Sequence, residues 1–130
     1  MKNKILIIDD DVDLVETNRA FLTSKGYQVC CAYNGQEGLE VMRREKPDIV
    51  ILDVMMTDVG EGFEVAREIR KDTGIKDTPV LMLTSVNQEH GFNLTVGPDD
   101  MWNPVDCFLE KPVSHGQLYD KVVEMLSNKK

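Results

Sequence analysis

A chain of 130 residues, 42% hydrophobic and 29% charged, is long enough to bury one core without disulfide or metal staples and too short for two domains. Its formal charge of −8 gives no electrostatic footprint for nucleic acid or an anionic membrane, and its composition excludes a disordered chain. The N-terminus runs into an acidic cluster after only four consecutive apolar residues, Ile5 to Ile8, too few for a signal peptide or a membrane span, so a cytoplasmic location is expected. Cys30 and Cys31 are adjacent in an extended stretch and face opposite ways, Cys107 is distant, and no CxxC pair occurs; free thiols are expected, without zinc.

Lys4 to Ile8 reads as a buried strand that stops at Asp9-Asp10-Asp11. Leu14, Asn18 and Leu22, with Val15 and Phe21 beside them, then recur at helical spacing up to Gly26, a suitable terminator. An acid at the start of that helix suits its dipole, which assigns Asp11 to the helix and not to a metal site. Tyr27 to Ala32 is the second strand, and Asn34 with Glu37 forms a capping box for a helix that turns Leu39 and Met42 inward. Pro47 stops it. Ile49 to Leu52 is an unbroken apolar run, as expected of a parallel strand buried on both faces, and Asp53 ends it. A glycine-bearing loop over Thr57 to Gly62 precedes a helix with Phe63, Ala66 and Ile69 on one face. Pro79 introduces a fourth strand, Val80 to Leu83, ending in Thr84 and Ser85.

From Val86 to Pro104 the periodicity fails, and Gly91, Gly97, Pro98 and Pro104 punctuate the stretch; a short helix and an ordered loop are expected there. A last strand, Cys107 to Leu109, leads to Glu110-Lys111-Pro112, and Ser114 with Gln117 caps a final helix burying Leu118, Val122 and Leu126. Strands and helices alternate throughout. The expected fold is α/β: a doubly wound, five-stranded parallel sheet with helices on both faces and right-handed crossovers.

In such a sheet every strand's carboxyl end lies on one edge. That edge collects Asp9, Asp10 and Asp11, then Asp53, then Thr84 and Ser85, then Lys111. Clustered carboxylates repel one another unless a cation sits among them, and an all-oxygen site with few protein ligands suits Mg²⁺ with several retained waters. Lys111 adds a positive charge and Thr84 a hydroxyl, so the edge is equipped to neutralise and hydrogen-bond a phosphoryl group around Asp53. His90 and His115 have no partners for a metal site and read as solvated; Met42, Met55, Met56 and Met82 read as packing.

These residues resemble the receiver domain of two-component response regulators across nearly the whole chain. The resemblance is carried by Ile-Leu-Ile-Ile-Asp-Asp ending at Asp10, Asp-Ile-Val-Ile-Leu-Asp-Val-Met-Met around Asp53, Leu-Thr-Ser at Thr84, and Phe-Leu-Glu-Lys-Pro at Lys111, in family order. It implies the flavodoxin-like fold with strand order 2-1-3-4-5 over residues 1–130. It further implies that Asp53 is the phosphoacceptor, that Asp10 binds Mg²⁺ directly and Asp9 through water, and that the Met55 carbonyl completes the ligands. Thr84 and Lys111 would grip the phosphoryl group, and Phe108 would be the aromatic that moves on activation. The implied partners are a sensor histidine kinase or phosphotransfer protein and a downstream protein. Two positions where fast-hydrolysing receivers place polar groups are here Met55 and Val86, which implies slow dephosphorylation. The chain departs from the family in a loop after Asp53 that lacks the usual proline, and in a longer interval between Thr84 and Lys111.

A single-domain regulator acting by protein binding is expected, since no effector follows the last helix and the protein itself is no enzyme beyond assisting its own phosphorylation. Two alternatives compete. Asp9-Asp10-Asp11 after a strand resembles the Asp-x-Asp opening of haloacid dehalogenase-type Mg²⁺ phosphohydrolases, with Asp9 as nucleophile, although Asp13 replaces the usual Thr or Val and there is no room for a cap domain. A pseudo-receiver that binds without phosphorylation is the other, disfavoured because every expected reactive residue is present.

Overall fold

The computed structural model describes residues 3–53, 59–84, 106–110 and 113–127. Along the chain run β1 (Lys4–Ile8), α1 (Val12–Ser24), β2 (Gln28–Ala32), α2 (Gly35–Glu45), β3 (Ile49–Asp53), α3 (Val59–Lys71), β4 (Val80–Thr84), β5 (Cys107–Glu110) and α4 (His115–Ser127). The strands form one sheet in the order β2-β1-β3-β4-β5, and every neighbouring pair is parallel. This is the doubly wound α/β fold expected from the alternation of elements.

The two-residue period of the strands sorts the core into two layers. Leu6 and Ile8 of β1, Val50 and Leu52 of β3, and Val80 and Met82 of β4 pack with Val41 and Met42 of α2 and Val65, Ala66 and Ile69 of α3. The alternate residues Ile5, Ile7, Ile49, Ile51, Leu81 and Leu83 pack with Val15 and Leu22 of α1 and Leu118 and Val122 of α4. Because helices cover both faces, all five residues of β3 are buried, which is why its sequence is an apolar run and not an alternation.

Helix starts are local and match the residues that announce them. Asp11 is the N-cap of α1, its carboxylate accepting the Leu14 N–H at 3.1 Å. Asn34 caps α2 by accepting the Glu37 N–H at 2.8 Å, but the Glu37 carboxylate reaches one residue further back than the capping box predicts, to the Tyr33 N–H. Ser114 and Gln117 form the full reciprocal box, at 3.1 and 3.0 Å. Helix ends use positive φ: Gly26 at 97° follows α1, and Lys46 at 47° closes α2, its N–H bonded to Met42 O at 2.8 Å. Lys46 precedes Pro47, which disfavours the right-handed helical region for it, so a lysine occupies a conformation ordinarily left to glycine.

Four further details differ from the sequence reading. Tyr27 precedes β2 instead of opening it. Val59 to Gly62 belongs to α3, not to a loop: packing of Val65, Ala66 and Ile69 on the sheet outweighs the poor helix propensity of two glycines. In α4 Met125 is buried, while Leu126 is only partly covered. His115 is not a solvated side chain but stacks on Phe21, ring centroids 4.5 Å apart, and so joins α4 to α1. The expected loop over Val86 to Pro104, with His90, and the side chains Met55 and Met56 lie outside the described residues; Met42 and Met82 are core.

Cys30 packs in the α2/α3 layer and Cys31 in the α1/α4 layer, and all three cysteines are free. Burial pushes the Cys31 thiol up to about 11 from an ordinary 9.0. Since only the thiolate attacks, at pH 8 about one Cys31 in a thousand is reactive. Cys31 is therefore expected to react with an aromatic disulfide reagent far more slowly than free cysteine, and at the ordinary rate once urea unfolds the chain. The same shift has a stability consequence. A thiol held protonated by the fold contributes stability below pH 9 that is lost as pH rises toward 11, and Cys31→Ala should remove that part of the alkaline transition.

Candidate functional site at the carboxyl edge of the sheet

The sheet order places a topological switch point between β1 and β3. The connection leaving β1 passes through α1 on one face and the connection leaving β3 passes through α3 on the other. A crevice between diverging connections is where open α/β sheets bind ligands. Asp9 directly follows β1 and Asp53 is the last residue of β3.

Register brings these two acids together. Ile5 pairs with Ile49, Ile7 with Ile51 and Ile8 with Leu52, so continuing the ladder by one residue sets Asp9 beside Asp53, with backbones ~4.8 Å apart. Both are buried, at 2% and 4% exposure, and they are two of only three buried polar or charged residues among the described residues, Asn18 being the third. Asp9 is held from two sides. Its N–H donates to Ala32 O at 3.1 Å, and its Oδ1 accepts the Asp11 N–H at 3.0 Å. Asp11 therefore serves both α1, as its cap, and Asp9, as a donor. Asp10 is exposed.

The neighbouring strand ends continue the edge. Asp53 pairs with Leu83, Thr84 ends β4, and Thr84 pairs with Glu110, the residue before Lys111. Phe108 pairs with Met82 in the middle of this ladder. The side chains of Thr84 and Phe108, and all of Met55 and Lys111, lie outside the described residues. The structure thus places Asp9 and Asp53 together, puts Thr84 at the expected strand end, and leaves Asp10 on the surface next to them.

Among the described residues no three His, Cys, Asp or Glu side chains converge as a metal cage. The donors present nonetheless suit Mg²⁺: this ion binds through one or two carboxylates and keeps waters or phosphate oxygens in its remaining positions, unlike zinc or calcium in an all-protein cage. Two adjacent buried carboxylates with an exposed third beside them fit that demand. These acids are legible in the sequence but the hold on Asp9 is not, since its partner Ala32 is distant in the chain.

Comparison with known proteins agrees with this fold. The pattern of the response regulator receiver domain family matches residues 5–123. A probable transcriptional regulator ycf27 of Pyropia yezoensis is 35% identical over 127 residues, 96% of this chain and 48% of that protein. The chain thus spans about half the length of that curated relative. Among solved structures, a two-component response regulator from Clostridium difficile is 29% identical with TM-score 0.80, covering 98% of both chains. The signal receiver domain of a signal transduction histidine kinase from Syntrophus aciditrophicus is 27% identical with TM-score 0.81, covering 98% of this chain and 92% of that one.

Proposed function

This chain belongs to the response regulator receiver domain family of two-component signalling, and from that membership we propose that it accepts a phosphoryl group on Asp53 and signals by phosphorylation-dependent protein binding. The observation that carries the proposal is the burial of Asp9 and Asp53 side by side at the switch point of the sheet. The donor is a phosphohistidine of a sensor histidine kinase or phosphotransfer protein. An Asp53 carboxylate oxygen forms the new bond to phosphorus as the bond to the histidine nitrogen breaks, and the leaving imidazole recovers a proton from solvent.

Asp53, Asp9, Asp10 and the Met55 carbonyl would hold Mg²⁺, which when bound neutralises charge on the phosphoryl oxygens. Thr84 and Lys111 grip the remaining oxygens, and Phe108 responds to the movement of Thr84. Free thiols support a cytoplasmic setting, and no helix among the described residues is long and apolar enough to cross a membrane. The charge of −8 argues against direct contact of this domain with nucleic acid.

The test is to incubate the protein with acetyl phosphate and Mg²⁺, reduce the acyl phosphate with borohydride and map the modified peptide. Modification at Asp53 supports the proposal; modification at Asp9 overturns it in favour of the phosphohydrolase alternative. Met55 and Val86 offer no side-chain hydrogen bond to orient an attacking water, so the acyl phosphate is expected to persist for minutes or longer. Decay within seconds in the isolated protein, followed by loss of label, would contradict this assignment.

A further inference from the structure

Gly38 lies in the first turns of α2 with ordinary helical backbone, so it is not there for a positive φ, and a glycine in that place costs helix stability. The reason for it is contact. A Cβ at Gly38 would fall 2.5 Å from Ile8 Cδ1, 2.9 Å from Ile8 Cγ1 and 3.3 Å from Ile8 Cγ2. Ile8 is wholly buried, and its β-branched side chain is stiff at χ1, so Cγ1 and Cγ2 cannot both swing away. The helix therefore seats its backbone on the last residue of β1. The next residue is Asp9, whose N–H is tied to Ala32 O at the end of β2, just before α2 begins.

We propose that Gly38 is a positioning residue for Asp9: by letting α2 close on Ile8, it fixes where β1 ends and hence where the Asp9 carboxylate stands beside Asp53. The inference rests on the Mg²⁺ reading given above. An added methyl group must push Ile8 or lift α2: the first movement passes into Asp9 through one peptide unit, the second through the short connection from α2 back to Ala32, whose carbonyl holds the Asp9 N–H. Loss of the Ile8 Cδ1 atom, by contrast, removes the closest of the three contacts and leaves those of Cγ1 and Cγ2, so it relieves the clash in part.

The experiment is calorimetric titration with Mg²⁺ alone, together with thermal unfolding in chelator, on the wild type, Gly38→Ala, the double variant Ile8→Val with Gly38→Ala, and Val41→Ala. Val41 is buried on α2 in the same layer, so its truncation weakens packing without touching Ile8 from Gly38. Gly38→Ala is expected to bind Mg²⁺ about tenfold more weakly, the size typical of losing a group that orients a metal ligand. The double variant should recover part of the lost affinity, and Val41→Ala should lose thermal stability while binding Mg²⁺ normally. Unimpaired binding by Gly38→Ala overturns the inference, as does equal weakening in Val41→Ala. If Gly38→Ala does not fold, the double variant must fold and bind Mg²⁺; failure there overturns it too. A wild type that binds no Mg²⁺ overturns the metal reading itself, whereas normal wild-type binding with an unimpaired Gly38→Ala overturns only the positioning role.

Discussion

Asp53→Asn is expected to take up no phosphoryl group from acetyl phosphate or from a phosphorylated kinase, at any Mg²⁺ concentration. The amide has nearly the shape of the carboxylate, so the fold should survive: Asp53 is a buried strand end, and the variant should keep the wild-type circular dichroism spectrum. What is lost is the nucleophile. A carboxylate attacks phosphorus with a full negative charge on oxygen, whereas the amide oxygen carries little and its nitrogen lone pair is delocalised. Asp9, its buried neighbour, does not substitute in this reading, because its carboxylate is assigned to Mg²⁺ and not to the attack on phosphorus. Intact mass after incubation reads the outcome directly. One added phosphoryl group on Asp53→Asn, or full uptake by the wild type in excess chelator, would overturn the assignment.

The second large effect is on stability, at the opposite edge of the sheet. Asp106 precedes β5, and its Oδ2 accepts both the Val80 N–H, at 2.7 Å, and an Arg70 guanidinium N–H, at 2.6 Å, while its own N–H donates to Val80 O at 3.0 Å. Arg70, near the end of α3, also donates to Lys76 O at 2.7 Å and Thr78 O at 2.9 Å. One carboxylate and one guanidinium thereby tie α3, the α3–β4 connection and the first residues of β4 and β5. Asp106→Ala is expected to cost about 2 kcal/mol, or ~4–8 °C in Tm for a domain of this size. Most of that comes from the part-buried Val80 N–H left without its acceptor. The ion pair contributes less, because the Asp106 side chain is 48% exposed and screened by water. Asp106→Asn keeps an acceptor for Val80 and should lose only about half as much. Equal losses in the two variants, measured by urea or thermal unfolding, would show that charge and not the hydrogen bond is what matters there.

The reach of the sequence can be judged on particular residues. Asp11, Asn34 and Ser114 announced the helix starts because a cap acts on N–H groups two or three residues away, an interaction contained in a short stretch of chain. Ile49 to Leu52 announced a doubly covered strand because burial on both faces leaves no position for a polar side chain. With five such elements in alternation, the position of Asp9 and Asp53 at strand ends followed from the sequence, and with it the candidate site. What only the tertiary structure decided involves residues far apart in the chain. Packing on the sheet carried α3 back to Val59 through two glycines, against local propensity. The Arg70–Asp106 tie joins residues 36 positions apart, and nothing in either neighbourhood distinguishes them from ordinary surface charges. Gly38 reads in sequence as a weak point in a helix; only the closeness of Ile8 makes it a requirement, because steric exclusion is set by distance in space and leaves no periodicity along the chain.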